Sequence, residues 1–176
     1  TAPEMTSAFN ISTDATKTSN VGEYNITISG GVMKNYEIAN YINGKLSVLK
    51  APLTVTAINI TKIYGDRNPE FKYSYDGAKN NDDENAIFET RPTISCDTDE
   101  KSGAGEYEIV INGATSNNYE ITYKTGVLSI NKREITVSTK NYTRKYGEEN
   151  PEFEISYNGF VNGEDESVLL IKPKAN

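Results

Sequence analysis

The sequence repeats itself, and the length of the repeat constrains the fold more than any other feature. The segment from Leu53 to Glu84 recurs from Ile135 to Glu166 at a constant offset of 82 positions. Tyr64, Gly65, Asn68, Pro69, Glu70, Phe71, Tyr75, Gly77, Asp83 and Glu84 return as Tyr146, Gly147, Asn150, Pro151, Glu152, Phe153, Tyr157, Gly159, Asp165 and Glu166. A second stretch matches in the other direction. Gly22, Glu23, Tyr24, Ile26, Ile28, Gly30, Asn35, Tyr36, Glu37 and Ile38 return as Gly105, Glu106, Tyr107, Ile109, Ile111, Gly113, Asn118, Tyr119, Glu120 and Ile121 at an offset of 83. From Gly44/Gly126 to Lys50/Lys132 the offset falls to 82, so one residue was gained or lost between them, a change that loops tolerate. A repeat this long is domain-sized, unlike the roughly 20 to 50 residues of solenoid units, so each copy needs its own core.

Taking Lys50 and Lys132 as unit ends, residues 1–50 are the second half of one unit, 51–132 a whole unit, and 133–176 the first half of a further one. Counted from the other phase, the chain is two permuted units, about 1–90 and 91–176. Half a small domain buries too little surface to fold alone. The expectation is that strands in 133–176 are completed by 1–50 of another molecule, a domain-swapped self-association; the rival is the permuted reading, in which 1–50 folds with part of 51–90 and 133–176 with part of 91–132.

Within the whole unit, Leu53, Val55 and Ala57 alternate with Thr54 and Thr56, and Phe71, Tyr73 and Tyr75 alternate with Lys72 and Ser74. This is the period of half-buried strands. Strand patterns recur over 106–111, 119–123 and 127–130, separated by turn signals at Gly65-Asp66, Asn68-Pro69, Asp76-Gly77, Asn112-Gly113 and Thr125-Gly126. One helix is expected from Asn81 to Phe88, where Asp82, Asp83 and Glu84 suit a first turn ahead of Ala86, Ile87 and Phe88. Glu164 to Glu166 before Val168, Leu169 and Leu170 repeats it. The order of strands, short helix and strands predicts an α+β, β-rich module with the helix on one face of a mixed sheet; the alternative is an immunoglobulin-like β-sandwich, which the acidic helix start disfavours. No Gly-Ser or Pro-rich linker separates the units, so strand is expected to run on into strand over 128–137, a stiff joint.

Composition excludes more than it names. The 25 acidic and 18 basic residues leave a net charge of −7, with no clustering of the basic residues to hold a nucleic acid. There is no histidine and only one cysteine, which removes Ser-His-Asp and Cys-His catalysis, His-ligated or multi-cysteine zinc, and any intrachain disulfide. No apolar run reaches the length of about 20 residues that spans a membrane, and residues 1–20 lack the layout of a secretory signal. The expectation is a non-enzymatic protein without cofactor or metal.

The motifs Tyr64-Gly65-Asp66 and Tyr146-Gly147-Glu148 are each followed by Asn-Pro-Glu-Phe, then by Ser-Tyr-Asp-Gly or Ser-Tyr-Asn-Gly. With the closing Asn-Asn-Tyr-Glu-Ile and Gly-Val-Leu-Ser-Ile-Asn-Lys, they resemble the MBG domains of the YGX type over essentially the whole chain. The resemblance implies tandem β-grasp-like modules, related to mucin-binding repeats, in large bacterial surface adhesins. It implies an extracellular place on the cell surface or cell wall, a stalk or adhesive role, and host glycan or mucin and neighbouring repeats as partners. It supplies no catalytic residue.

Gly65 and Gly147 read as turn glycines at positive φ with the tyrosine ring packed below. Most of the 12 tyrosines fall at strand positions and belong to packing; Tyr41, Tyr123 and Tyr142, near strand ends or junctions, are the candidates for an exposed ligand-binding face. The runs Asp82-Asp83-Glu84 and Glu164-Asp165-Glu166 lack EF-hand spacing and read as helix starts rather than calcium ligands. Cys96 stands where the preceding unit has Thr13, so the repeat requires no thiol there; it is expected to be buried and unpaired.

Overall fold

The computed structural model describes residues 5–171. Among them are twelve strands, one short helix and one 3-10 turn. The strands are β1 (Met5–Thr13), β2 (Gly22–Met33), β3 (Gly44–Val48), β4 (Ala51–Ala57), β5 (Ile60–Ile63), β6 (Tyr73–Asp76), β7 (Thr93–Ser95), β8 (Gly105–Asn112), β9 (Tyr119–Lys124), β10 (Gly126–Asn131), β11 (Thr136–Thr139) and β12 (Ile155–Asn158). Helix α1 spans Glu84–Ile87, and the 3-10 turn spans Glu166–Val168. The protein is β-rich, as the alternation predicts.

The chain divides into two compact units. One comprises the described residues up to 56 with 74–93 and 111–124, and the other 57–73, 94–110 and the described residues from 125. The first contains the sheet β1-β2-β3, most of the sheet β6-β4-β9, and α1. In the latter sheet β4 and β9 run parallel, from Ala51↔Tyr119 to Thr56↔Lys124. Its buried apolar residues are Leu53, Val55, Ile87, Phe88, Ile111 and Tyr119. The second unit contains most of the sheet β5-β10-β8-β7, in which β5 lies parallel to β10, and the hairpin-like pair β11-β12. Ala57, Ile109, Leu128 and Ile130 are buried there.

The strand β4 has this form because its alternating Leu53, Val55 and Ala57 all point to a buried face while Thr54 and Thr56 do not. The chain can turn after β6 because Gly77 sits at φ +103°, where a Cβ would meet the Pro52 carbonyl oxygen at 2.6 Å; Gly159 repeats the arrangement at φ +113°. Helix α1 begins where the acids predict, with the Asp83 carboxylate accepting from the amides of Asn85 and Ala86. It is shorter than the expected span over 81–88. Asn81 is in the left-handed region at φ 62° and Phe88 is extended, so neither can continue it. What the helix secures is Ile87 and Phe88, the latter edge-on to Tyr75 at 6.0 Å between ring centroids. The second acidic run forms only the 3-10 turn, with Asp165 as its cap.

Two further expectations change, and β5 is an unforeseen element. Phe71 lies outside β6, since pairing starts at Tyr73. β5 carries too little alternation to be seen in the sequence, being defined by its parallel partner β10. Strand does not run unbroken over 128–137: Lys132 to Ile135 belong to no ladder, and the Arg133 side chain turns to the Tyr64 carbonyl oxygen at 2.7 Å.

The repeat is visible in the topology. β1, β2 and β3 occupy the sequence positions of β7, β8 and β10 and pair in the same order. In the intact sheet the far side of β10 is covered by β5, whereas among the described residues β3 has no strand on that side. Likewise β11 and β12 correspond to β4 and β6, but no described strand stands on β11 where β9 stands on β4.

Candidate functional site

The motif Tyr64-Gly65-Asp66 comes directly after β5, tied back by the Tyr64 amide to the Asn131 carbonyl oxygen at 2.9 Å and closed by a turn from Asp66 to Ile63 at 3.0 Å. Gly65 is at φ +88°, and a Cβ there would lie 3.0 Å from Cβ of Val161 and closer still to its Cγ2. Positive φ was expected; the valine of the following repeat was not. The Tyr64 hydroxyl donates to Oε1 of Glu164 at 2.6 Å, and this bond to a carboxylate holds the phenol above its ordinary pKa. Arg133 completes the contact, with Nε on the Tyr64 carbonyl oxygen and the guanidinium paired with Asp66. Asn162, itself at φ 56°, donates to the Glu100 carbonyl oxygen at 3.1 Å. The motif therefore forms a joint to the next repeat as well as a turn.

Behind this loop is a buried polar cluster. Lys62 is only 7% exposed, and its ammonium donates to the Asp66 carbonyl oxygen, to Oδ1 of Asn68 at 2.8 Å and to the Asp99 carbonyl oxygen. Asn68 in turn donates to the Thr98 carbonyl oxygen at 2.6 Å. A buried ammonium is tolerated only with such partners, so the cluster fastens the 98–99 turn to the strand-β5 side of the repeat. Hydrogen bonds from the Lys101 amide, and from the Ser102 hydroxyl and amide, hold the Asp99 carboxyl below its usual range, with Lys62 contributing least. The sequence carried a signal for this cluster, because Lys62 and Asn68 return as Arg144 and Asn150. Val161 had none, since Lys79 takes its place one repeat earlier.

The second copy of the motif is in a different setting. Gly147 has φ +86° but nothing within 4 Å of a Cβ, and Tyr146 is fully exposed. Arg144 Nε reaches Oδ1 of Asn150 at 2.9 Å, and the turn closes from Glu148 to Lys145. In the first unit, a cavity of 470 Å³ lies among Thr18, Asn20, Val21, Ala51 and Asp82. Beside it Asn118 accepts from the Val21 amide and donates to Asn20, while Lys50 donates to the Ser116 carbonyl oxygen.

Of the three candidate tyrosines, Tyr41 and Tyr123 belong to the first unit and Tyr142 to the second. Tyr41 is 45% exposed and donates its hydroxyl to the Gly30 carbonyl oxygen at 2.6 Å. Tyr123 is 36% exposed, and its hydroxyl both accepts from the Ala114 amide and donates to its carbonyl oxygen. Tyr142 is half-buried, edge-on to Phe153 at 5.2 Å, and accepts from the Glu154 amide. Each hydroxyl holds backbone, and Tyr41 and Tyr123 remain partly exposed.

The acidic runs are occupied by their own structure. Asp82 accepts from the Tyr119 hydroxyl, whose pKa is raised first by burial and then by this bond, while Asp83 and Asp165 cap. Among the described residues no group of three or more Cys, Asp or Glu side chains is arranged to hold a metal ion. Cys96, just beyond the end of β7, is free but half-buried rather than fully buried, and Thr98 donates to its sulfur at 3.5 Å.

No curated protein and no solved structure shows significant similarity to the chain. The MBG domain (YGX type) family matches residues 2–47, 53–129 and 135–176, three segments in tandem that contain both copies of the joint motif. The chain thus belongs to the MBG domain family of the YGX type.

Proposed function

We propose that the chain is a non-enzymatic repeat module of a bacterial cell-surface adhesin, carried outside the cell on the surface or cell wall, where its repeats extend a stalk and hold weak multivalent contacts to host glycans or mucin. Membership of a family of tandem surface-protein repeats carries this reading. The motif that defines the family is spent on joining one repeat to the next through Val161 and Glu164, as a load-carrying array requires. Parallel pairing of β4 with β9 and of β5 with β10, with α1 in the crossover, favours β-grasp-like modules over an immunoglobulin-like sandwich. Among the described residues no helix is long and apolar enough to cross a membrane. Weak contacts at Tyr41, Tyr123 and Tyr142 gain strength from copy number.

A purely structural spacer that projects a distal functional domain is the second reading. It is favoured by the engagement of all three tyrosine hydroxyls with backbone, which leaves ring faces as the contact surface. A glycan array separates the two. The adhesive reading expects density-dependent binding that falls when Tyr41, Tyr123 and Tyr142 are replaced by alanine; a blank array at every density, or binding unchanged by the triple substitution, refutes it.

A further inference from the structure

Among the described residues, two repeat-derived sheets each lack a strand that the intact repeat has, and the same chain contains the template for that strand in each case. Along β3, the far edge is where β5 stands in the intact sheet, in register Leu128↔Ile60 to Asn131↔Ile63. Transferred by the repeat, the missing strand is 142–145, in register Leu46↔Tyr142, Ser47↔Thr143, Val48↔Arg144 and Leu49↔Lys145. Along the segment 133–136 that leads into β11, the missing strand is the counterpart of β9, which starts at Tyr36, in register Arg133↔Tyr36 to Thr136↔Ala39. Neither 142–145 nor 36–39 belongs to a ladder in the chain as described.

Burial gives an independent measure. Leu128, Tyr119 and Val55 are 0%, 3% and 0% exposed, while their counterparts Leu46, Tyr36 and Val137 are 38%, 66% and 49% exposed. The two open halves expose what the intact repeat buries. Polar groups agree with this. Lys62 and Asn68 fasten the Asp99 and Thr98 carbonyl oxygens; by the repeat, Arg144 and Asn150 are the counterparts of the first pair, and Thr16 and Ala15 those of the second. Finally, the cavity beside Asp82 occupies the place where Tyr64 and Gly65 sit in the second unit. There Glu164, Asn162 and Arg133 surround the motif, and Asp82, Asn80 and Ala51 are their counterparts around the cavity.

We propose that residues 133–171 of one copy close onto residues 5–50 of a second copy, head to tail: strand 142–145 adds parallel to β3, Tyr36–Ala39 adds parallel to the segment 133–136 that leads into β11, and the Tyr146-Gly147 loop fills the 470 Å³ cavity with the Tyr146 hydroxyl on Asp82. The contact is heterologous, so copies add in series, and the open strand edges drive it by β-augmentation. It holds whether or not the surface binds a glycan.

Sedimentation velocity of the full chain over roughly three decades of concentration tests it. Mass is expected to climb through successive multiples of the monomer. Leu46→Asp spoils only the β3 face and Val137→Asp only the β11 face, and both side chains are partly exposed in the single chain. Each variant alone is expected to stay monomeric, while an equimolar mixture forms a dimer and stops there. Arg144→Ala, which touches no apolar contact, is expected to weaken association about ten-fold or more. Overturning results are a wild-type chain that stays monomeric throughout, a mixture that does not pair, a single variant that still forms dimers, or closure within one chain, seen as concentration-independent amide protection of 142–145. Circular dichroism of each variant as monomer excludes misfolding, and Arg144→Ala keeps the test open if either aspartate variant fails to fold.

Discussion

Gly65→Ala is the substitution that most directly tests the joint. Alanine at φ +88° adopts a left-handed conformation that costs about 1–2 kcal/mol. Its Cβ, 3.0 Å from Val161 Cβ and closer to Cγ2, adds an overpacking cost of about 1–3 kcal/mol, for a total of about 2–5 kcal/mol. Val161→Ala alone removes a half-buried contact worth about 1 kcal/mol. In the double variant the clash with Cγ2 is gone while the 3.0 Å approach to the Cβ of residue 161 stays beside the backbone strain, so the two changes couple favourably by part of the overpacking cost, about 1–2 kcal/mol. Gly147→Ala is the internal control, with the same motif at φ +86° in open space, and is expected to cost only the backbone part, about 1–2 kcal/mol. Guanidinium unfolding followed by circular dichroism, in dilute solution where copies do not associate, gives the totals. Hydrogen exchange at the Tyr64 amide, bonded to Asn131, reads the joint locally. Equal losses at Gly65 and Gly147, together with additivity in the Gly65/Val161 cycle, would refute the reasoning.

Val55→Ala, at a fully buried position, is expected to cost on the order of 2 kcal/mol, against well under 1 kcal/mol for Val137→Ala at the half-exposed counterpart, by chemical denaturation of the monomer. Asp83→Ala removes the α1 cap and should lose about 1 kcal/mol by the same method, whereas Asp83→Asn should lose little. The raised pKa of Tyr64 means that the neutral phenol is the form stabilised in the folded state. Its contribution is therefore complete below the ordinary tyrosine value of 10.0 and is lost as the pH rises through that value and past the folded one. Absorbance titration at alkaline pH should show one fewer late-titrating tyrosine in Glu164→Gln than in wild type, and identical curves would rule this out. Millimolar calcium should leave the melting temperature unchanged, because Asp82 and Asp83 already serve Tyr119 and the helix cap; a rise of several degrees would count against that assignment.

How much could be read from the sequence depended on how local each cause is. The strand alternation of β4, the acidic cap of α1 and the turn glycines are all written in neighbouring residues, and they stand where the pattern put them. β5 exists because β10 accepts it in parallel, a pairing across 68 positions at Leu128↔Ile60 that no local pattern records. The helix was overread for a similar reason. Acids continue N-terminal to Asp83, but Asp82 is held by Tyr119, which lies far along the chain, and Asn81 is turned to positive φ. A place near strand ends marks the tyrosine candidates in the sequence, and that position does not reveal a hydroxyl engaged by a backbone group nine to twelve residues away.

The repeat also shows why one motif has two appearances. Tyr64 and Tyr146 share their neighbours in sequence, and their loops share a glycine at nearly the same φ. The difference lies one repeat further along the chain: Tyr64 meets Glu164 and Gly65 meets Val161, whereas Gly147 has nothing within 4 Å of a Cβ and Tyr146 is fully exposed. The loop conformation is therefore set by the motif itself, and only the docking depends on the neighbour. A joint preformed in this way loses little entropy on closing, because the left-handed glycine is already in place before contact is made. The same preorganisation makes exposed Tyr146 a defined surface rather than a frayed one, so the Tyr146→Ala chain should keep the monomer's unfolding midpoint while losing whatever association the loop supports. A loss of monomer stability comparable to that of Gly65→Ala would instead mean that the ring is needed to hold the loop, and the separation of conformation from docking would be wrong.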